Sequence, residues 1–75
     1  MNIFHEATWS KVLVDDIVLM PWSSLDRIVK VKIKQLVTEP EPDGKQLVFA
    51  KYTAFDCEFG QTFDADDVAY VQSRI

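Results

Sequence analysis

Arg27-Ile28-Val29-Lys30-Val31-Lys32-Ile33-Lys34-Gln35-Leu36-Val37 is the longest regular pattern in this chain. Val29, Val31 and Ile33 alternate with Lys30, Lys32 and Lys34. A period of two places branched side chains on one face of a strand and ammonium groups on the other. Valine and isoleucine are stiff at χ1 and favour the pleated backbone. The pattern predicts a half-buried strand on which the other apolar runs pack. Ile28 and Leu36 interrupt it near its ends and add apolar groups to the lysine face. A strand apolar on both faces near its ends is expected to bend through a bulge.

With 75 residues, the chain is read as a single domain over its whole length, burying roughly 60–65% of its unfolded surface. Apolar residues make up 48% and include two Trp, two Tyr and five Phe, enough for a core without staples. Cys57 is the only cysteine and His5 the only histidine, which excludes a disulfide framework and a Cys/His zinc site within one chain. No apolar run exceeds four residues, as at Ile17 to Met20, which is far too short to span a membrane. The opening residues lack the basic start and apolar core of a secretion signal. A cytoplasmic protein with no membrane partner is the expectation. The net charge of −4 speaks against a dedicated nucleic-acid binder. The charge is unevenly spread: Arg27, Lys30, Lys32 and Lys34 cluster, while Asp56, Glu58, Asp64, Asp66 and Asp67 make the later part acidic.

Outward from the lysine strand, residues 1–11 read as a lead-in, with Trp9 covering one end of the core. Leu13-Val14-Asp15-Asp16 reads as a turn, with carboxylates where the backbone bends. Residues 17–22 form the first strand, and Pro21 requires an edge or a strand end at that point. Ser23-Ser24-Leu25-Asp26 connects it to the lysine strand. Residues 39–44, Glu-Pro-Glu-Pro-Asp-Gly, carry the chemistry of an exposed hairpin loop. Residues 45–53 form the next strand. Phe55, Cys57 and Phe59 then alternate with Asp56 and Glu58, so the first three are expected inward. Phe63-Asp64-Ala65-Asp66-Asp67-Val68 has an N-cap, early carboxylates and hydrophobic-staple spacing. It predicts one short helical turn over residues 64–68, followed by a closing strand. The fold class is therefore mostly β: a small barrel-like antiparallel sheet of four or five strands with one helical turn.

Val14-Asp15-Asp16-Ile17-Val18, leading into the first strand, and Gly60-Gln61-Thr62-Phe63 with the Asp64 to Asp67 turn and Val68 to Val71 resemble the Src-homology-3-like small barrels, including Tudor and KOW-type domains. The resemblance covers about 60 residues and is one of fold. It departs at Asp16, where such barrels often carry glycine. It implies a small barrel, and no binding residue is carried over from it.

Few residues offer chemistry. Cys57 alternates with two phenylalanines, which reads as a buried apolar thiol, and His5 is distant in sequence. Asp64, Asp66 and Asp67 lack the glycine and distal glutamate of a calcium loop and read as caps. Asp56 and Glu58 read as a solvated face, without the desolvating pocket that acid–base work uses. No catalytic residue, metal or cofactor is expected. Alternate lysines on a strand stand about 6.5–7 Å apart, a spacing able to follow phosphates. The same lysines also guard a sheet edge or pair with Asp56 and Glu58 across it. Trp22, Tyr52 and Phe55 at strand ends either plug the barrel or form a shallow aromatic groove.

These features make a non-catalytic protein-interaction module or small regulator the expected function, with Trp22, Tyr52, Arg27, Lys30, Lys32 and Lys34 as binding residues and a protein as partner. One alternative is nucleic-acid binding through Lys30, Lys32 and Lys34. A second is an acidic mimic of nucleic acid. Homodimerisation through Ile28, Leu36 and a free strand edge is a further expectation.

Overall fold

The computed structural model describes residues 3–73. Six strands form one antiparallel sheet: β1 (Phe4–Thr8), β2 (Ile17–Trp22), β3 (Arg27–Pro40), β4 (Gln46–Ala54), β5 (Cys57–Asp64) and β6 (Val68–Gln72). Their order across the sheet is β1-β6-β2-β3-β4-β5. Strands β2 to β5 make a meander of hairpins. β6 then crosses back to pair with β2 through Val18–Val71 and Leu19–Tyr70, and β1 adds outside β6.

The lysine pattern sets the centre of this sheet. Val31 and Ile33 are fully buried beside Val18 and Val71, whereas Lys30 and Lys32 are exposed on the other face. The ladder shifts register between Ile33 and Gln35, leaving Lys34 as the extra residue of a β-bulge. The bulge resets the alternation. Leu36, opposite Ala50, now packs against the core and leaves the lysine face, contrary to the unbroken alternation. Pro21 lies beyond the two β2–β6 pairs, where β2 has a neighbour on one side only.

Four sequence expectations are corrected. The sheet has six strands, since the lead-in is strand β1 followed by a 3₁₀ turn at Trp9–Lys11. Phe4-His5-Glu6-Ala7-Thr8 has little alternation, and it is the ladder to β6 that makes it a strand. The sheet is not a closed barrel. It curls until Trp9 stacks on Phe63, ring centroids 4.0 Å apart, and Ser10 N–H donates to the Ala65 carbonyl. Rings and isolated hydrogen bonds thus span a seam that no ladder closes. The segment after Asp64 is a turn closed by Asp67 N–H to the Asp64 carbonyl. No helix forms there because β6 resumes at Val68, leaving no residues for a second hydrogen bond. Finally, Glu39 and Pro40 still pair with Leu47 and Gln46, so the hairpin loop is 41–45, with Gly44 at φ 88°.

Candidate aromatic binding site

Antiparallel hairpins place the β2–β3 and β4–β5 turns at the same end of the sheet, opposite the 41–45 loop. Two turns of very different sequence therefore meet. The β2–β3 connection is a 3₁₀ turn at Ser23–Leu25, completed by Asp26 in the left-handed region. The β4–β5 connection has only two residues, Phe55 and Asp56, with φ of 53° and 61°. Two successive positive φ values define the type I′ hairpin, whose twist matches that of its strands. Phe55 is an unusual residue for it, because a bulky side chain rarely adopts this conformation.

The two turns present an aromatic cluster. Trp22 meets Phe59 at 5.0 Å, Phe55 at 5.5 Å and Tyr52 at 6.5 Å between ring centroids, each edge-on. Tyr52 stacks on Phe59 at 6.0 Å. The Arg27 guanidinium carbon lies 5.9 Å from the Phe55 ring centre, within reach of a cation–π attraction. Phe55 is 51% exposed, and Trp22 and Phe59 are half-buried. Tyr52 is 5% exposed and serves as the floor. Its hydroxyl donates to Gln61 Oε1 at 3.2 Å, and burial pushes its phenol up from the ordinary value of 10.0.

Of the expected binding residues, the structure brings Trp22, Tyr52 and Arg27 together and separates them from the lysines. Arg27 pairs with Trp22 and has the parity of Val29, Val31 and Ile33, so it lies on the core face at the sheet's end. Lys30 and Lys32 occupy the outer face, opposite Leu19 and Ile17. There Lys30 Nζ stands 5.9 Å from the Phe4 ring centre, and Tyr70 donates to Glu6 Oε1. Lys34 sits at the bulge. Ile28, 65% exposed, stays on the outer face without Leu36. Phe59 and Gln61 join the site; the i, i+2 spacing of Phe59, Gln61 and Phe63 carried that signal, but Phe59 read as core alone.

A groove follows the open seam from this cluster. Beside Trp22 and Ser23 it has about 170 Å³ and is floored by Tyr52 and Gln61. It continues past Met20 and Gln61 into a cleft of about 440 Å³ that reaches Phe63, Ala69 and Trp9. Aromatic rings thus stand at both ends.

Cys57 is exposed, which corrects its expected burial. It is the first residue of an edge strand, next to a two-residue turn, and β4 pairs with it on one side only, through Ala54. His5 lies on β1, the opposite edge strand of the sheet. Among the described residues no group of three or more His, Cys, Asp or Glu is placed to hold a metal, and no helix is long and apolar enough to cross a membrane. Compared with known proteins, the chain matches no family model, no curated protein and no solved structure.

Proposed function

We propose that this chain is a non-catalytic protein-interaction module whose contact surface is the aromatic end formed by Trp22, Phe55 and Phe59 with Arg27. One observation carries the reading: Phe55 is held in a left-handed conformation and left half-exposed. Strained residues of this kind persist where the surroundings over-determine them, and they gather at binding sites. Tryptophan and arginine are also the residues most enriched in binding hot spots. The resemblance to the Src-homology-3-like folds is carried into this reading as part of the proposal, with β1 as an addition.

The test is capture of partners from a host lysate, with and without nuclease, by wild type, Trp22→Ala and Phe55→Asn. A protein captured by wild type under both conditions and lost with either variant supports the reading. Phe55→Asn keeps the result interpretable if Trp22→Ala fails to fold. Capture unaffected by Phe55→Asn overturns it.

A second reading has its own support. Lys30 and Lys32 share the outer face with Phe4 and Tyr70, and lysines interleaved with rings suit single-stranded nucleic acid. Capture that vanishes with nuclease, together with salt-sensitive binding weakened by Lys32→Glu, would favour it. The acidic-mimic alternative has less support, since Asp56 and Glu58 stand at one end of β5 and Asp64, Asp66 and Asp67 at the other.

A further inference from the structure

We infer that the open edge of β5 is a docking site for an extended, cationic peptide segment that adds to the sheet as a seventh strand. This rests on the interaction-module reading and specifies its partner. Among the described residues β5 pairs only with β4. The residues flanking a two-residue hairpin turn exchange both hydrogen bonds, and the pattern then alternates. Cys57, Phe59, Gln61 and Phe63 therefore bond to β4, opposite Ala54, Tyr52, Ala50 and Val48. Glu58, Gly60 and Thr62 direct their N–H and C=O groups to the open side. This is the template that β-augmentation uses, with backbone bonds for affinity and alternate side chains for specificity.

The edge has little protection before Phe63, on which Trp9 stacks. It carries no proline and no lysine, the residues that usually blunt an edge strand. Gly60 has the ring of Phe49 over it, where a Cβ would come within 2.8 Å of Cζ. The core face of the edge borders the seam groove, lined by Met20, Gln61, Phe63 and Ala69. An added strand would send every second side chain into that groove.

Charge selects the occupant. β5 and its two turns carry Asp56, Glu58, Asp64, Asp66 and Asp67 and no cation. Opposing charges close by are Lys51, opposite Gly60 on β4, Lys45, beside Asp64, Asp66 and Asp67, and Arg27, against the Phe55 ring. Acidic groups remain in excess. A second copy is disfavoured: pairing two β5 strands about Gly60 would set Asp56 against Asp64 of the other copy, and like charges directly opposite are destabilising. A strand alternating apolar with Lys or Arg satisfies both faces. Its apolar side chains enter the groove, and its cations meet Glu58 and Asp64.

The probe is a synthetic eight-residue peptide of alternating Val and Lys. Its twin carries N-methyl groups on alternate residues, which keep the charge and side chains but remove the donors along one edge. Amide exchange followed by NMR is expected to slow at Glu58, Gly60 and Thr62 when the first peptide is added. The twin should bind about tenfold more weakly or worse, as expected for lost backbone hydrogen bonds. The protein variant Glu58→Lys with Asp64→Lys should also weaken binding. Equal binding of the twin, or no slowing at those three amides, overturns the inference. Slowing that rises with protein concentration without peptide also overturns it, in favour of a second copy. Capture lost with Phe55→Asn while the β5 amides stay unprotected would sink this inference and leave the module reading standing. Protected β5 amides with capture indifferent to Phe55 would do the reverse.

Discussion

Phe55 and Asp56 show how one turn divides stability from binding. Each left-handed residue costs about 1–2 kcal/mol relative to an ordinary conformation, and glycine avoids that cost. Asp56→Gly is therefore expected to raise the unfolding free energy by roughly 0.5–1 kcal/mol. Phe55→Asn relieves similar strain but forfeits the edge contact with Trp22, worth about 0.5–1.5 kcal/mol. The two effects nearly cancel, so stability should stay within about 1 kcal/mol of wild type while capture is lost. Urea titration beside the capture assay checks both. Tyr52 supplies a pH dependence. Its folded phenol titrates above the unfolded value, so this stabilising difference is complete below pH 10.0 and is lost as pH rises through the folded value. In that window the unfolded chain releases a proton that the folded chain keeps. Unfolding midpoints measured from pH 8 upward should fall in wild type as the pH passes about 10, and fall less in Tyr52→Phe.

At the scale of elements, the β3 bulge is the device that lets one long strand serve a curled sheet. The extra residue, Lys34, bends and twists the ladder locally. Deleting Lys34 would keep the pairing partners on both sides, because Gln35 already faces Lys51 and Leu36 already faces Ala50. It would straighten the strand instead, drawing the sheet's two ends apart. The deletion is expected to cost about 1–3 kcal/mol, whereas Lys34→Ala should stay within about 0.5 kcal/mol. Denaturant titration of the two variants separates a need for the bulge from a need for the lysine. The change of apolar phase from Val29, Val31 and Ile33 to Leu36 made this bend legible in the sequence. Nothing comparable marked β1, whose side chains are half-exposed or exposed and whose order comes from the β6 ladder.

For the whole molecule, the decisive contact is between Trp9 and Phe63, which joins the segment after β1 to the end of β5 across the seam. Trp9 is 4% exposed, and truncating a buried tryptophan costs about 3–5 kcal/mol. A chain of this size has about 4–11 kcal/mol in total. Trp9→Ala should therefore remove much of the stability, read as a lower urea midpoint, and Trp9→Phe should retain most of it. The aromatic site and the lysine face belong to this scale as well. The pattern of alternation put Arg27 beside the lysines only when residues 27–34 were taken as one charged cluster; the pairing of Arg27 with Trp22 assigns it to the other face.

By itself the sequence determined the mostly β class, the central lysine strand with its bend, the strand at Ile17–Trp22 and the loop around Gly44. These depend on side-chain periodicity and turn chemistry, which act between residues close in the chain. It also singled out Trp22 and Tyr52 as candidates, since rings at strand ends are visible without a fold. Only the tertiary structure decided that β1 is a strand, that the sheet stays open, that Cys57 faces solvent and that Phe55 sits in a strained turn against Trp22. Each of those depends on partners far apart in sequence, such as β1 with β6 and Trp9 with Phe63. Local pattern carries no record of such pairings, because their free energy arises only when the chain has closed upon itself.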